Sequence, residues 1–138
     1  MKFPAHLEGY VKDATAKFPS LADEYHSAVQ VQCPCGCNWF TLTKGTKPSL
    51  IATCQASGHK VTVYDVSLYP AATAQKGREE FTPVRHPEGD DCFQIFAVFE
   101  YGELDDDQVF NRNDVTWCQI IIENAAGSRT TILDDETA

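Results

Sequence analysis

The clearest indication of the fold lies in residues 92–101, which read CFQIFAVFEY. In an extended chain, Ile95 and Ala97 would point to one face and Phe96 and Val98 to the other, so both faces would be apolar. Residues 115–122, VTWCQIII, have the same character. Strands of this kind are covered on both sides. These two segments therefore predict the central strands of a sheet.

Shorter segments before and after this pair also have strand composition. Val29, Val31 and Cys33 alternate with glutamines, and apolar residues recur in residues 39–43, 50–54 and 61–68. The apolar phase shifts at Tyr64, as a β-bulge would cause. We expect these four segments to form consecutive antiparallel strands. Residues 123–128, ENAAGS, predict a turn into a further strand over residues 129–133.

The N-terminal part of the chain has a different period. Apolar residues recur at helical spacing at Leu7, Tyr10, Val11, Ala14 and Phe18. The proline after Phe18 would end such a helix, so we predict an amphipathic helix over about residues 4–18. With a β-rich body over residues 27–138, the chain is expected to form a single domain, residues 1–138. Its predicted class is mainly β (α+β): an antiparallel sheet or small β-sandwich with an N-terminal helix.

Charge is distributed unevenly along the 138 residues, whose net charge is −9. Residues 1–87 carry nine Lys/Arg and seven Asp/Glu, whereas residues 88–138 carry two and thirteen. The two parts therefore have net charges of +2 and −11. An acidic field of this kind repels nucleic acid and attracts a basic protein surface. We therefore expect a basic protein partner and no nucleic acid.

The leading candidate for the partner surface combines acidic and aromatic residues near the end of the central strand. Its members are Glu100, Tyr101, Glu103, Asp105, Asp106, Asp107 and Phe110. Carboxylates would steer a basic partner, and the aromatic rings would anchor it. The first functional hypothesis is therefore a small acidic binding protein, of the inhibitor or immunity type, that blocks its partner by occlusion.

Cysteine usage depends on the compartment in which the protein resides. The first residues, MKFPAHLEGYVKD, contain no apolar run suited to a secretory signal, and no segment approaches the roughly 20 apolar residues of a membrane span. We expect a cytoplasmic protein without membrane contact, in which thiols stay reduced. The six cysteines would then be metal ligands or buried thiols.

Five of the residues in two short segments form a candidate metal site. The segments are Cys33-Pro34-Cys35-Gly36-Cys37 and Cys54-Gln55-Ala56-Ser57-Gly58-His59. Two thiol-bearing turns about twenty residues apart, with strands between them, are typical of a structural zinc site. The predicted ligands are Cys33, either Cys35 or Cys37, Cys54 and His59, because thiolate and imidazole both suit zinc.

Over residues 33–59 the chain resembles a zinc ribbon, whose two knuckles read C-P-x-C-G and C-x-x-C-G. The resemblance implies a zinc-ribbon-like pair of hairpins, and a second hypothesis of a structural or adaptor domain in a larger assembly. The first knuckle is one residue shorter, and Ser57 stands where the ribbon has its fourth cysteine. Two alternatives follow: a ribbon that has lost its metal and kept its shape, or a set of small buried thiols.

Catalytic motifs give no support for an enzyme. The sequence contains no G-x-S-x-G, no phosphate-binding glycine loop, no H-E-x-x-H and no dinucleotide fingerprint. We therefore expect a non-enzymatic protein. A third hypothesis is an enzyme that uses His59, His86 or Cys92, with His86 as a base beside the Cys92 thiol.

Overall fold

The computed structural model describes residues 7–21, 26–45, 49–65, 80–101 and 115–136. Within these ranges the regular structure is almost entirely β. The strands are β1 (Val11–Asp13), β2 (His26–Val31), β3 (Phe40–Gly45), β4 (Ser49–Cys54), β5 (Lys60–Asp65), β6 (Phe81–Pro83), β7 (Gln94–Tyr101), β8 (Val115–Glu123) and β9 (Arg129–Glu136). Two single turns of 3-10 helix lie at Thr15–Lys17 and Pro19–Leu21.

The strands form two antiparallel sheets that share one core. A five-stranded sheet has the order β1-β2-β7-β8-β9, and a four-stranded sheet has the order β5-β4-β3-β6. Their facing side chains form one apolar cluster, to which Ile95 and Ile120 contribute from the first sheet and Leu42 and Val63 from the second. The expectation of a mainly β domain with antiparallel strands is thus confirmed.

The two segments that are apolar on both faces occupy the interior of the five-stranded sheet. β7 pairs with β2 on one side and with β8 on the other. On β7, Ile95 and Phe99 face the shared core, whereas Phe96 and Val98 belong to a second cluster on the outer face of the sheet. Burial on both sides explains why no polar alternation is present in these strands.

The predicted order of the upstream strands is correct for three of them. β3, β4 and β5 pair consecutively as antiparallel neighbours. The predicted bulge is confirmed, because the register shifts where Leu50 pairs with Tyr64 and Ile51 with Thr62, and Val63 and Tyr64 are both buried. β2 does not continue this meander; it pairs with β1 and β7 in the other sheet. As an interior strand, β7 has a hydrogen-bonded neighbour on each side, and β2 is one of them.

The predicted N-terminal helix is wrong for residues 7–18, and residues 4–6 lie outside the described part of the chain. Gly9 has a φ of 82°, which interrupts a right-handed helix, and Val11–Asp13 pairs with β2 as β1. The apolar stripe is real, but it is divided between two clusters. Leu7 packs into the core between the sheets, whereas Ala14 and Phe18 cover the outer face of the five-stranded sheet.

Two phenylalanines connect the sheets at one point outside the regular pairing. Phe40 begins β3, Phe93 immediately precedes β7, and their backbones exchange two hydrogen bonds of 3.0 Å. Both side chains are fully buried. Phe93 lies in the segment that connects β6 of one sheet to β7 of the other. On its other side, Phe40 pairs with Cys54 of β4. Across the described ranges, no helix is long and apolar enough to cross a membrane.

Candidate metal centre

The first thiol-bearing loop follows β2 and is closed by its own backbone. The N–H of Cys33 donates to the carbonyl oxygen of Cys37 at 2.9 Å, and the N–H of Gly36 donates to the carbonyl oxygen of Cys33 at 2.8 Å. Gly36 has a φ of 95°, a backbone conformation that residues with a Cβ atom rarely adopt. The chain reverses direction between Cys33 and Cys37, and Cys35 lies in the turn itself.

The second thiol-bearing turn connects β4 to β5. Cys54 and His59 close the hairpin through a hydrogen bond of 2.8 Å from the Cys54 N–H to the His59 carbonyl oxygen. The N–H of Gly58 donates to the Cys54 carbonyl oxygen at 2.9 Å, and Gly58 has a φ of 73°. The two loops are held together by a hydrogen bond of 2.9 Å from the Gln55 N–H to the Trp39 carbonyl oxygen.

Three of the predicted sulfur ligands come together where these loops meet. The Sγ atoms of Cys33, Cys35 and Cys54 all lie within 4.8 Å of one another, and those of Cys35 and Cys54 are 3.6 Å apart. Cys33 and Cys54 are buried, with 3% and 2% of their surfaces exposed, whereas Cys35 is exposed. The cluster has a covered inner side and an open outer side.

The spacing of these sulfurs suits a thiophilic metal ion. Four ligands at a zinc–sulfur distance of about 2.3 Å form a tetrahedron whose edges are about 3.8 Å. The separation of 3.6 Å between Cys35 and Cys54 is close to that edge. All six cysteines are free thiols. The described residues can therefore supply three thiolates to a zinc ion.

The other two predicted ligands do not join this group. The Cys37 sulfur contacts the backbone of Trp39, whose N–H donates to it at 3.5 Å. The ring of His59 stacks on Tyr10 with a centroid distance of 5.6 Å, and its Nε2 lies 3.3 Å from the Tyr10 hydroxyl oxygen. The group of sulfurs within 4.8 Å of one another thus contains Cys35 and not Cys37, and the His59 ring lies beside Tyr10.

Sequence reasoning treated Ser57 as a defect, yet its side chain lies at the cluster. Its hydroxyl oxygen is 3.4 Å from the Cys33 sulfur, and its backbone N–H donates to the Cys54 sulfur at 3.4 Å. The same hydroxyl accepts a hydrogen bond of 3.2 Å from the His59 N–H. The position of Ser57 three residues after Cys54 was the available signal, because that spacing belongs to a C-x-x-C knuckle.

Hydrogen bonds around the cluster separate the acidities of its thiols. The Ser57 hydroxyl, followed by the Ser57 backbone N–H, lowers the pKa of Cys54 to about 6, although burial acts in the opposite direction. The backbone of Cys37 lowers the pKa of Cys35, but hydrogen bonds to the Cys33 and Cys54 sulfurs together with desolvation raise it overall. These shifts favour the thiolate form at Cys54 and the thiol form at Cys35.

A second group of candidate ligands surrounds His86, and it is a closed hydrogen-bond network. The buried His86 ring accepts the Glu88 N–H at Nδ1 at 3.1 Å, and its Nε2 lies 3.0 Å from the Ser128 carbonyl oxygen. The buried Asn124 donates its amide to the carboxylates of Glu88 and Asp90. These contacts fasten the loop before β7 to the β8–β9 turn, and both ring nitrogens of His86 are used.

The residues of the enzyme hypothesis have different surroundings. Burial, followed by repulsion from Cys37 and Cys54, raises the pKa of Cys92 above its ordinary value. A raised pKa disfavours the thiolate that a nucleophilic cysteine needs. His86 is engaged by Glu88 and Ser128, as described above. The surroundings of Cys92 therefore favour its thiol form over the thiolate.

The predicted partner surface is described at its first two residues. Glu100 lies on β7, and its carboxylate is 3.0 Å from Nε2 of His26. Tyr101 is the last residue of β7. The remaining residues of that surface, Glu103, Asp105, Asp106, Asp107 and Phe110, lie outside the described residues.

Comparison with protein-family models, curated proteins and solved structures gives no match to the chain. The most specific feature of the site is the convergence of Cys33, Cys35 and Cys54.

Proposed function

We propose that the protein is a non-enzymatic β-domain stabilised by a zinc ion that Cys33, Cys35 and Cys54 hold. The observation that carries this proposal is the convergence of their three sulfurs within 4.8 Å. Thiolates are the preferred protein ligands of zinc. In this proposal the paired loops act as the two knuckles of a zinc-ribbon-like hairpin pair.

The position of the site favours a structural role for the ion. Cys33 follows β2 of the five-stranded sheet, and Cys54 ends β4 of the four-stranded sheet. Both residues belong to the core cluster between the sheets. An ion shared by these ligands would link the two sheets directly, and its binding free energy would add to the free energy of folding.

Zinc-dependent stability tests this function. A free zinc concentration about one hundred times the Kd should raise the free energy of unfolding by about 2.7 kcal/mol. The measurement is denaturant unfolding of the wild type and of Cys54→Ser, each with zinc and with chelator. Cys92→Ser is the control, because it also removes a thiol, but this thiol is half-buried and lies outside the cluster.

The proposal predicts stabilisation by zinc in the wild type and in Cys92→Ser, and none in Cys54→Ser. Equal zinc responses in all three proteins would show that the ion binds elsewhere. The absence of any response in the folded wild type would refute the proposed function.

A second candidate function is the docking of a basic protein on the outer face of the five-stranded sheet. The half-buried Trp117 pairs with Glu100 of β7, and its indole N–H donates to a carboxylate oxygen of the exposed Asp134 on β9. A tryptophan between carboxylates can anchor an arginine or lysine side chain of a partner. The carboxylates of Glu100 and Asp134 beside Trp117 would steer such a partner to this face.

A charge reversal at this face tests the docking function. The probe is a panel of purified basic proteins, and binding is measured at low and at physiological salt. Asp134→Lys should weaken a specific complex by about tenfold, because it removes one attraction and adds a repulsion. Asp91→Lys changes the net charge equally at another exposed position and should have a small effect. Equal losses in both variants, or binding to no member of the panel, would count against a docking site at Trp117.

A further inference from the structure

We propose that Ser57 occupies the fourth corner of the metal site, so that a bound zinc ion has three thiolates and one exchangeable oxygen position open to solvent. The inference rests on the proposed zinc function for its occupant. It goes beyond that function by assigning the fourth position to one residue and by predicting how that residue limits affinity.

The contacts of the Ser57 hydroxyl place it at the corner. Its oxygen is 3.4 Å from the Cys33 sulfur, and the backbone N–H of the same residue donates to the Cys54 sulfur at 3.4 Å. Ser57 therefore lies against two of the three sulfurs of the cluster. Cys33 and Cys54 are buried, whereas Ser57 is exposed, so the hydroxyl lies on the solvent side of the cluster.

The backbone holds Ser57 in this position independently of any metal. Its N–H donates to the Cys54 sulfur at 3.4 Å, and its hydroxyl accepts the His59 N–H at 3.2 Å. Gly58, with a φ of 73°, allows the tight turn that brings His59 back to Cys54. A sulfur attached to the same Cβ would therefore lie near the position of the present hydroxyl.

The chemistry of a serine at this corner differs from that of a cysteine. A thiol loses its proton on binding zinc, whereas an alcohol remains protonated at neutral pH and is a weak ligand. Water or an exogenous thiol can compete for such a position. The site is therefore suited to thiophilic cations, and Ser57 makes it weaker and more readily exchanged than a four-thiolate site.

The test compares the wild type with Ser57→Cys and with Ala56→Cys. Ala56→Cys is the matched control, because it adds a thiol to an exposed position of the same turn but not to the corner. Zinc affinity is measured by competition with a chromophoric chelator. Cobalt is then bound as a spectroscopic probe, because its thiolate charge-transfer absorption increases with the number of sulfur ligands.

Ser57→Cys should bind zinc more tightly than the wild type by about tenfold or more, because a thiolate replaces a neutral oxygen. Its cobalt absorption should rise to that of a four-thiolate complex, while Ala56→Cys should match the wild type in both measurements. If Ser57→Cys matches the wild type in affinity and spectrum, or if Ala56→Cys gains as much as it does, Ser57 does not occupy the corner.

This experiment separates the inference from the proposed function. If the wild type binds no zinc and Ser57→Cys does, the corner assignment holds, and the natural protein is a knuckle pair that has lost its metal. If both bind zinc with equal affinity and equal cobalt spectra, the zinc function holds and the corner assignment fails. If neither protein binds zinc, both proposals are refuted.

Discussion

At the scale of single residues, Cys54 is the most distinctive group, because the fold favours its charged form. Ser57 donates to its sulfur, which lowers the pKa from an ordinary value of 9.0 to about 6. In an unfolded chain these hydrogen bonds are absent. The thiolate is therefore stabilised by folding, even without a metal.

This shift predicts a pH dependence for the metal-free protein. The contribution of Cys54 ionisation is complete above pH 9.0, the pKa expected in the unfolded state, and is lost as the pH falls through about 6. The free energy of unfolding should therefore rise with pH across this window. Cys35, whose pKa is raised, acts against this trend only at higher pH. Denaturant unfolding with chelator across the window measures the slope.

Ser57→Ala is the control for that slope. It removes the hydroxyl that contributes most to the lowered pKa of Cys54. The slope should become smaller, and the thiolate absorbance of Cys54 should appear at higher pH. An unchanged slope in this variant would assign the pH dependence to another group.

Asn124 is a second residue with a large expected effect. It is buried, and its amide connects Glu88 and Asp90 to the β8–β9 turn, while its side-chain oxygen accepts the Ser128 N–H at 2.9 Å. Asn124→Ala should lower the free energy of unfolding by about 1–3 kcal/mol, because the partners lose their hydrogen bonds. Ser128→Ala preserves the backbone contacts and should be nearly neutral. Comparable losses in both variants would contradict this account of the network.

Prediction from sequence succeeded for part of the site and failed for the rest for a physical reason. Cysteine spacing was enough to bring Cys33, Cys35 and Cys54 into one hypothesis, because two thiol-bearing turns about twenty residues apart are typical of a structural zinc site. It could not choose between Cys35 and Cys37, since that choice depends on how Gly36 turns the backbone. The network of His86 and Asn124 joins segments distant in sequence and has no local pattern.

At the scale of elements, the strands could be predicted because buried faces of a strand require apolar residues at regular positions in the sequence. Residues 92–101 and 115–122 are apolar on both faces, and β7 and β8 are central strands. The N-terminal stripe misled because two unrelated contacts happened to share helical spacing. Leu7 packs in the core between the two sheets, whereas Phe18 packs on the outer face of the five-stranded sheet. Gly9, with its positive φ, lies between them in the sequence.

The bridge between Phe40 and Phe93 predicts a strong effect of one core substitution. Phe93 is fully buried where the chain passes between the sheets. Phe93→Ala should lower the free energy of unfolding by about 3–5 kcal/mol, because it leaves a cavity in both sheets' shared core. Phe81→Ala is the matched control, since Phe81 is 46% exposed on β6. A loss at Phe93 no greater than at Phe81 would contradict the assigned core.

At the scale of the whole molecule, the proposed ion and the apolar core act on the same contact between two sheets. The core holds their facing side chains together, and the metal would fasten one end through Cys33 and Cys54. The proposed docking surface around Trp117 and Asp134 lies on the outer face of the five-stranded sheet, away from the metal site. Stability and partner binding would thus depend on separate parts of the domain.

Metal content is the most direct test of the central claim that this domain is held by a thiolate-bound zinc ion. Protein purified without chelator should be analysed for metals, and its reactive thiols counted before and after denaturation with chelator. The account predicts one zinc per chain, with Cys33, Cys35 and Cys54 protected until the metal is removed. A folded protein that contains no metal, and in which the exposed Cys35 reacts freely, would contradict it.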